Sequence, residues 1–84
     1  MAQVIMYKKV PCPYCDRAEA FFKNRGVNVE MIDLTNKPEE MARIKSDTGW
    51  QTVPIIMIDG KLIGGYMDLK SLDEEGKLDT MLAK

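Results

Sequence analysis

The stretch Pro11-Cys12-Pro13-Tyr14-Cys15 contains both cysteines of this 84-residue chain. It lies where a short apolar run, residues 4–7, gives way to apolar residues at helical spacing. At the start of a helix the side chains of residues i and i+3 share one face. This geometry is compatible with the Cα separation of about 4.4–6.8 Å that a disulfide requires. Two cysteines at this spacing, in a chain that otherwise resembles a cytosolic protein, predict a reversible dithiol/disulfide pair.

The composition is typical of a soluble globular protein, and the length predicts one domain spanning residues 1–84. Hydrophobic residues make up 45% and charged residues 30% of the chain, which argues against disorder. The 12 basic and 13 acidic residues are distributed along the sequence, so no basic stripe indicates nucleic acid. Residues 1–7 lack the basic region of a signal peptide, and no run approaches the ~20 apolar residues of a membrane span. We therefore expect a cytoplasmic protein with neither a nucleic-acid nor a membrane partner, and we expect it to act as a monomer.

The absence of histidine limits the chemistry to thiols, carboxylates, lysines and backbone groups. Structural zinc sites use four Cys or His ligands, and two cysteines supply only half of such a set, so we expect no metal. Two alternatives for the cysteine pair stay open. The cysteines could be buried and behave as small hydrophobic residues, or a metal cluster could be shared between two chains.

Periodicity and turn residues predict the elements on both sides of the cysteine stretch, in the order βαβαββα. Strands are expected at residues 3–7, 27–33, 55–58 and 61–63, and helices at residues 14–25, 38–47 and 68–75, followed by a tail at residues 78–82. The first strand, helix and strand form a βαβ unit with a right-handed crossover. Asp59-Gly60 between two apolar runs predicts a two-residue hairpin turn, and Thr35 or Asn36 is the expected cap of the second helix.

The position of Cys12 predicts its chemistry. A cysteine in the first turn of a helix faces unpaired backbone N–H groups and the positive end of the helix dipole, both of which favour the thiolate. We expect Cys12 to be the exposed nucleophile and Cys15, one turn inside the helix, to be the resolving thiol. Lys9 adds positive charge nearby. Thiol–disulfide exchange requires no general base once the nucleophile is a thiolate.

Two later segments could complete a binding site. Thr52-Val53-Pro54 precedes an apolar strand, and a proline there leaves main-chain groups free for an extended peptide. Gly64-Gly65-Tyr66-Met67-Asp68 opens a helix whose N–H groups could hold a carboxylate. The alternatives are an ordinary proline at the start of a strand and an ordinary glycine turn.

Cys12-Pro13-Tyr14-Cys15, Thr52-Val53-Pro54 and Gly64-Gly65 with Asp68 resemble the three signature segments of dithiol glutaredoxins, and the element order is similar along the whole chain. The resemblance implies a thioredoxin-like α/β fold, with a four-stranded mixed sheet flanked by helices and a cis bond at Pro54. It also implies a glutathione-dependent thiol–disulfide oxidoreductase that reduces protein disulfides and protein–glutathione mixed disulfides. Glutathione is then the cosubstrate. The protein partners are disulfide-containing or glutathionylated proteins, with ribonucleotide reductase as one candidate.

The resemblance further implies where glutathione binds. The backbone of Val53 pairs with the extended tripeptide, and Lys9 and Gln51 meet its glycyl carboxylate. The amides of Met67 and Asp68, together with the Asp68 side chain, hold the γ-glutamyl end. The full predicted set is Lys9, Tyr14, Gln51, Thr52, Val53, Pro54, Gly65, Met67 and Asp68.

The chain departs from the family pattern at several positions. Pro11 stands where threonine or serine is common, Asp16 follows the second cysteine where a base is common, and Tyr66-Met67 replaces cysteine or small polar residues. We expect Trp50 to be a packed aromatic residue beside the site.

Two other functions stay open. One is a redoxin reduced by thioredoxin reductase instead of glutathione. The other is a carrier in which two chains bridge an iron–sulfur cluster through Cys12 and two glutathiones. Pro13 argues against the carrier, because in the family this motif is less often associated with clusters.

Overall fold

The computed structural model describes residues 2–83, which form four strands and four helices in the order βαβαββαα. The strands are β1 (Val4–Lys8), β2 (Glu30–Asp33), β3 (Ile55–Ile58) and β4 (Lys61–Gly64). The helices are α1 (Pro13–Asn24), α2 (Pro38–Thr48), α3 (Tyr66–Glu74) and α4 (Lys77–Leu82). Within residues 2–83, no helix has the length and hydropathy that a membrane crossing requires.

The strands form one mixed sheet in the order β2-β1-β3-β4. β1 runs parallel to β2, with Met6 opposite Met31, and antiparallel to β3, with Met6 opposite Ile56. A parallel pair needs a crossover connection, which α1 provides. Asp59 and Gly60 have φ values of 51° and 78°, the left-handed pair of a tight hairpin turn. The four-stranded mixed α/β arrangement and the hairpin are therefore confirmed.

The main hydrophobic core lies between one face of the sheet and helices α1, α3 and α4. Its buried residues are Val4, Met6, Ala18, Phe22, Ile56, Ile58, Leu69 and Leu78. Ile55 is also fully buried and faces the other side of the sheet, because neighbouring side chains of a strand alternate. Full burial of one large apolar side chain stabilises the fold by about 1.5–3 kcal/mol. β3 is thus buried on both faces, as its continuous apolar sequence predicts.

The predicted tail at residues 78–82 is wrong, because these residues belong to helix α4. Gly76, with φ of 75°, separates α4 from α3. A helix of six residues is not stable by itself in water. Leu78 has no exposed surface and packs into the main core, so tertiary contact stabilises this helix.

Other element boundaries shift for identifiable reasons. β2 begins at Glu30 and not at residue 27, because the Val27 N–H donates to the Phe22 carbonyl (3.0 Å) and closes the end of α1. α3 begins two residues earlier than predicted, since the Asp68 carboxylate accepts a hydrogen bond from the backbone at the helix start. The predicted cap of α2 is also wrong, because Lys37 occupies the cap position and makes no side-chain capping bond.

Helices α1 and α3, which both begin at the site described below, are also joined at a distance from it. The Arg25 guanidinium forms two hydrogen bonds with the Asp73 carboxylate, at 2.5 and 2.7 Å. This bidentate pair connects the end of α1 to the end of α3. It helps to fix the relative position of the two helix N-termini.

Candidate active site

Helix α1 begins at Pro13, one residue earlier than predicted, and Cys12 is its N-cap. The Cys12 backbone is extended, with φ of −153° and ψ of 99°. Its Sγ atom accepts a hydrogen bond from the Cys15 N–H, with 3.1 Å between nitrogen and sulfur. The sulfur therefore takes the place that a serine or aspartate oxygen takes at other helix starts. Backbone N–H groups aimed at this atom favour its thiolate form after reduction.

Cys12 and Cys15 form a disulfide, with 5.2 Å between their Cα atoms. Cys15 is only 1% exposed, whereas Cys12 is partly accessible. A substrate disulfide can therefore reach the sulfur of Cys12 but not that of Cys15. The roles of Cys12 as nucleophile and Cys15 as resolving thiol stay predictions, and they require this difference in access.

The second segment lies beside Cys12. The carbonyl oxygen of Val53 is 3.9 Å from Cys12 Sγ, although the two residues are 41 positions apart in sequence. The Val53–Pro54 peptide bond is cis, as expected, and Pro54 is buried. A second cis bond, between Val10 and Pro11, was not expected from the sequence.

The third segment forms the start of α3. Gly65 is the N-cap residue, and its N–H donates to Asp68 Oδ2 at 3.0 Å. Gly64 has φ of 117°, and a Cβ atom there would lie 2.7 Å from Asp68 Oδ2 and 3.1 Å from Trp50 Cη2. Glycine is therefore required at position 64 both for its backbone angle and for the close approach of two side chains.

A cleft of about 320 Å³ lies beside the disulfide. Its lining residues are Tyr14, Trp50, Thr52, Val53, Pro54, Gly65, Tyr66, Met67 and Asp68. The fold thus brings together every residue of the predicted glutathione set except Lys9 and Gln51. Those two residues are exposed: Lys9 lies in the loop after β1, and Gln51 lies between two lining residues in the chain.

Two aromatic residues of the cleft were not predicted as site residues. Trp50 was expected beside the site but not in it, and Tyr66 was noted only as a departure from the family pattern. The Trp50 Nε1 atom is buried and has no hydrogen-bond partner among the described residues. The only sequence signal was position, because Trp50 precedes Gln51 and Tyr66 lies inside the glycine segment.

Thr35, one of the two residues considered as the cap of α2, instead anchors the loop that carries Cys12. Its Oγ1 atom accepts a hydrogen bond from the Val10 N–H at 2.9 Å. Its own N–H donates to Asp33 Oδ1 at 2.9 Å, and its hydroxyl donates to the same oxygen. These bonds from Thr35 lower the pKa of Asp33 below its ordinary value. The end of β2 therefore holds the active-site loop in place.

Within residues 2–83, no group of three or more His, Cys, Asp or Glu side chains is arranged to hold a metal ion. The chemical groups that the site offers are the two sulfurs, the backbone of Val53 and the N-terminus of α3.

Comparisons with known proteins agree with this geometry. A family model described as Glutaredoxin matches residues 4–63, which include the cysteine pair and Val53-Pro54. Glutaredoxin 3 of Escherichia coli (strain K12) is 39% identical over 82 residues, which are 98% of this chain and 99% of the relative. The structure of a wheat glutaredoxin superposes with a TM-score of 0.89 at 32% identity, covering 95% of this chain and 78% of the other. A buckwheat glutaredoxin–glutathione complex superposes with a TM-score of 0.88 at 30% identity, covering 98% and 77%.

These matches confirm the resemblance and the thioredoxin-like fold that the three sequence segments predicted. They agree with a Cys12–Cys15 pair that can form and break a disulfide. The chain belongs to the glutaredoxin family, and its chemistry is that of a thiol–disulfide oxidoreductase.

Proposed function

We propose that the protein uses glutathione to reduce protein disulfides and protein–glutathione mixed disulfides. The observation that carries this proposal is the contact between Cys12 Sγ and the Val53 carbonyl, 3.9 Å apart. It puts the reactive sulfur next to the backbone of Val53, which lines the cleft. A relative of similar structure, the buckwheat glutaredoxin, is known in complex with glutathione, which supports the same ligand here.

In the first step, the Cys12 thiolate attacks one sulfur of the substrate disulfide. A bond forms between Cys12 and that sulfur, and the substrate S–S bond breaks. The leaving thiolate takes the electron pair and then a proton. Cys15 then loses its proton and attacks the Cys12 sulfur, so that the Cys12–Cys15 disulfide forms and the second substrate thiolate leaves.

Two glutathione molecules restore the dithiol. The first attacks Cys12 and forms a mixed disulfide, which frees Cys15. The second attacks the glutathione sulfur of that mixed disulfide and frees Cys12. In balance, one substrate disulfide becomes two thiols, while two glutathione thiols become one glutathione disulfide.

The N-terminus of α3 and the exposed Lys9 could each receive one carboxylate of a ligand that has a carboxylate at each end. We propose that the γ-glutamyl carboxylate meets the Met67 and Asp68 amides at the N-terminus of α3, where the helix dipole favours an anion. The glycyl carboxylate then lies toward Lys9 and Gln51 at the other end. The Asp68 carboxylate already accepts the Gly65 N–H, so it would fix the helix start as well as face the ligand amine.

We also propose the cytoplasm as the compartment. A dithiol that cycles with glutathione needs a reducing thiol pool, which the cytosol maintains. Ribonucleotide reductase stays a candidate protein substrate by resemblance alone.

A glutathione-coupled assay on a glutathionylated peptide tests the proposed function. Wild type and Cys15→Ser should turn over in the presence of glutathione and glutathione reductase, whereas Cys12→Ser should be inactive. A parallel assay supplies thioredoxin reductase in place of glutathione and its reductase. Faster turnover with thioredoxin reductase alone would contradict glutathione as the reductant. A matched Asp47→Asn variant, changed at an exposed residue of α2, should behave like wild type.

A further inference from the structure

Two tyrosines from different helices pack together at the mouth of the cleft. Tyr14 lies between the two cysteines on α1, and Tyr66 is the first residue of α3. Their ring centroids are 6.1 Å apart with an interplanar angle of 32°, within the range of favourable aromatic pairs. Tyr14 nevertheless keeps 50% of its surface exposed. The two rings therefore hold each other in position, while half of the Tyr14 surface stays exposed to solvent.

Apolar exposure extends beyond the cleft in the same region. Among residues 2–83, the large hydrophobic residues that stay exposed are Val10 (51%), Tyr14 (50%), Leu62 (37%) and Met67 (64%). All except Leu62 belong to the active-site loop or to the starts of α1 and α3. Val10 does not line the cleft, so the apolar exposure near the active-site loop is not confined to the cleft. Concentrated apolar exposure of this kind marks a site of interaction with a larger partner.

Each tyrosine ring has a cationic side chain over its face. The Arg17 guanidinium carbon is 5.2 Å from the Tyr14 ring centroid, and Lys70 Nζ is 5.9 Å from the Tyr66 ring centroid. Cations at this distance from an aromatic face are attracted by its electron density. We call Tyr14, Tyr66, Arg17 and Lys70 the tyrosine platform.

The charges of the platform are not neutralised by ion pairs among residues 2–83. Basic residues elsewhere, such as Lys8 and Lys77, have acidic partners at 3.8 and 3.0 Å. Asp16 precedes Arg17 in the chain but forms no ion pair with it. Asp68, two residues before Lys70 on α3, accepts the Gly65 N–H. A partner that brings carboxylates would therefore find two free cations beside an apolar surface.

We propose that the tyrosine platform is a docking site for the polypeptide around the substrate disulfide, and that it selects segments with an aromatic or large apolar residue next to acidic residues. The inference rests on the proposed function, because the segment is the one that carries a cysteine of the disulfide with which Cys12 reacts. Tyr14 and Tyr66 receive the apolar side chain, while Arg17 and Lys70 receive the carboxylates. The occupant is a protein segment, since two cations on a chain of net charge −1 are too few to bind a nucleic-acid backbone.

Kinetic selectivity tests the proposal. Three glutathionylated peptides differ only beside the cysteine: one has Phe with two Asp, one has Phe with two Lys, and one has Ala with two Asp. Each rate is divided by the rate with glutathionylated cysteamine, which offers no flanking chain. For wild type, kcat/KM for the Phe-Asp peptide should exceed that for the other two by about fivefold to twentyfold.

Variants assign the selectivity to its residues. Arg17→Glu and Lys70→Glu should each reverse or abolish the preference for Asp over Lys, and 0.5 M salt should weaken it in wild type because exposed charges are screened. Tyr66→Ser should abolish the preference for Phe over Ala. Two control variants make the same kinds of change elsewhere. Lys23→Glu reverses a charge further along α1, and Leu62→Ser removes an exposed apolar side chain from β4. Both controls should keep the wild-type ratios.

The outcomes separate this inference from the proposed function. Equal normalised rates for the three peptides, with normal glutathione-dependent turnover, would contradict the docking role of the tyrosine platform. The proposed function would not be affected. If no glutathionylated substrate turns over, the proposed function fails. In that case an NMR titration tests the inference. Peptides with Ser in place of Cys are added to protein that carries both Cys12→Ser and Cys15→Ser. Larger shifts at residues 14 and 66 with the Phe-Asp peptide than with the Phe-Lys peptide support it, and equal shifts overturn it.

Discussion

The Sγ atom of Cys12 lies 3.9 Å from the carbonyl oxygen of Val53, so the reactive sulfur and the backbone of the cleft meet at one point. Cys12 reaches this point because it is the N-cap of α1, and Val53 reaches it because it leads into β3, which is buried on both faces. Both positions are fixed by elements that pack into the core. The site is therefore preorganised before any substrate binds.

Cys12 should react faster than Cys15 in the reduced protein. Cys12 is partly exposed and its sulfur accepts a backbone N–H, whereas Cys15 is 1% exposed. Limiting iodoacetamide at neutral pH, followed by mass mapping of peptides, should place more than about nine-tenths of the label on Cys12. Labelling of the same protein in urea provides the control, because the two rates should then converge. Preferential label on Cys15 in the native state would reverse the assigned roles.

Replacing Cys15 should separate two activities. Removing glutathione from a mixed disulfide requires only Cys12 and a second thiol, so Cys15→Ser should keep this activity within about threefold of wild type. Reduction of an intramolecular protein disulfide should fall by about tenfold or more, because no internal thiol releases the substrate. Both rates are measured with the same glutathione-coupled assay. Loss of both activities in a variant with native circular dichroism would contradict this division of labour.

Gly64→Ala should destabilise the protein more than Gly26→Ala does. Both glycines have positive φ, 117° and 67°, but only a Cβ at position 64 would meet neighbouring atoms. Gly26→Ala should lower the free energy of unfolding by about 1 kcal/mol, from backbone strain alone. Gly64→Ala adds overlap with Asp68 and Trp50, so the total loss should be about 2–4 kcal/mol. Urea unfolding measures both values, and equal losses would mean that the neighbours of Gly64 move aside freely.

The stability contributed by Asp33 should depend on pH in a defined direction. Hydrogen bonds from Thr35 lower the pKa of Asp33 in the folded state below its ordinary value of 3.8. This stabilisation is therefore fully present above pH 3.8 and is lost as the pH falls through the lowered folded-state pKa. Wild type should exceed Asp33→Asn in free energy of unfolding at pH 6, and the difference should shrink toward pH 2.

Urea unfolding at several pH values measures this difference. Asp47→Asn, which changes an exposed aspartate on α2, corrects for the general effect of acid. A difference between wild type and Asp33→Asn that stays constant from pH 6 to pH 2 would contradict the prediction.

Lys9→Ala should weaken glutathione-dependent turnover through KM and not through kcat. If Lys9 meets the glycyl carboxylate as an exposed ion pair, KM for a glutathionylated substrate should rise by about twofold to fivefold. The effect should fade in 0.5 M salt, because such a pair is screened. Lys61→Ala, which removes an exposed lysine from β4, is the matched control. An unchanged KM at low salt would remove Lys9 from the proposed site.

Local sequence determined the parts of this protein whose interactions are close in the chain. The Asp59-Gly60 turn adopts the left-handed angles that these two residues favour. The run of residues 55–58 is apolar throughout and becomes a strand buried on both faces. The spacing of Cys12 and Cys15 suffices to place both sulfurs at the start of one helix.

Tertiary structure decided the contacts between distant residues. Thr35 favours a helix cap locally, yet its oxygen accepts the N–H of Val10, 25 residues away. Residues 77–82 are too few to form a stable helix alone, and they are helical because Leu78 packs into the main core. Tyr66 meets Tyr14 only because α1 and α3 pack side by side. Backbone preference acts over a few residues and can be predicted from them, whereas these contacts require the whole core to be assembled first.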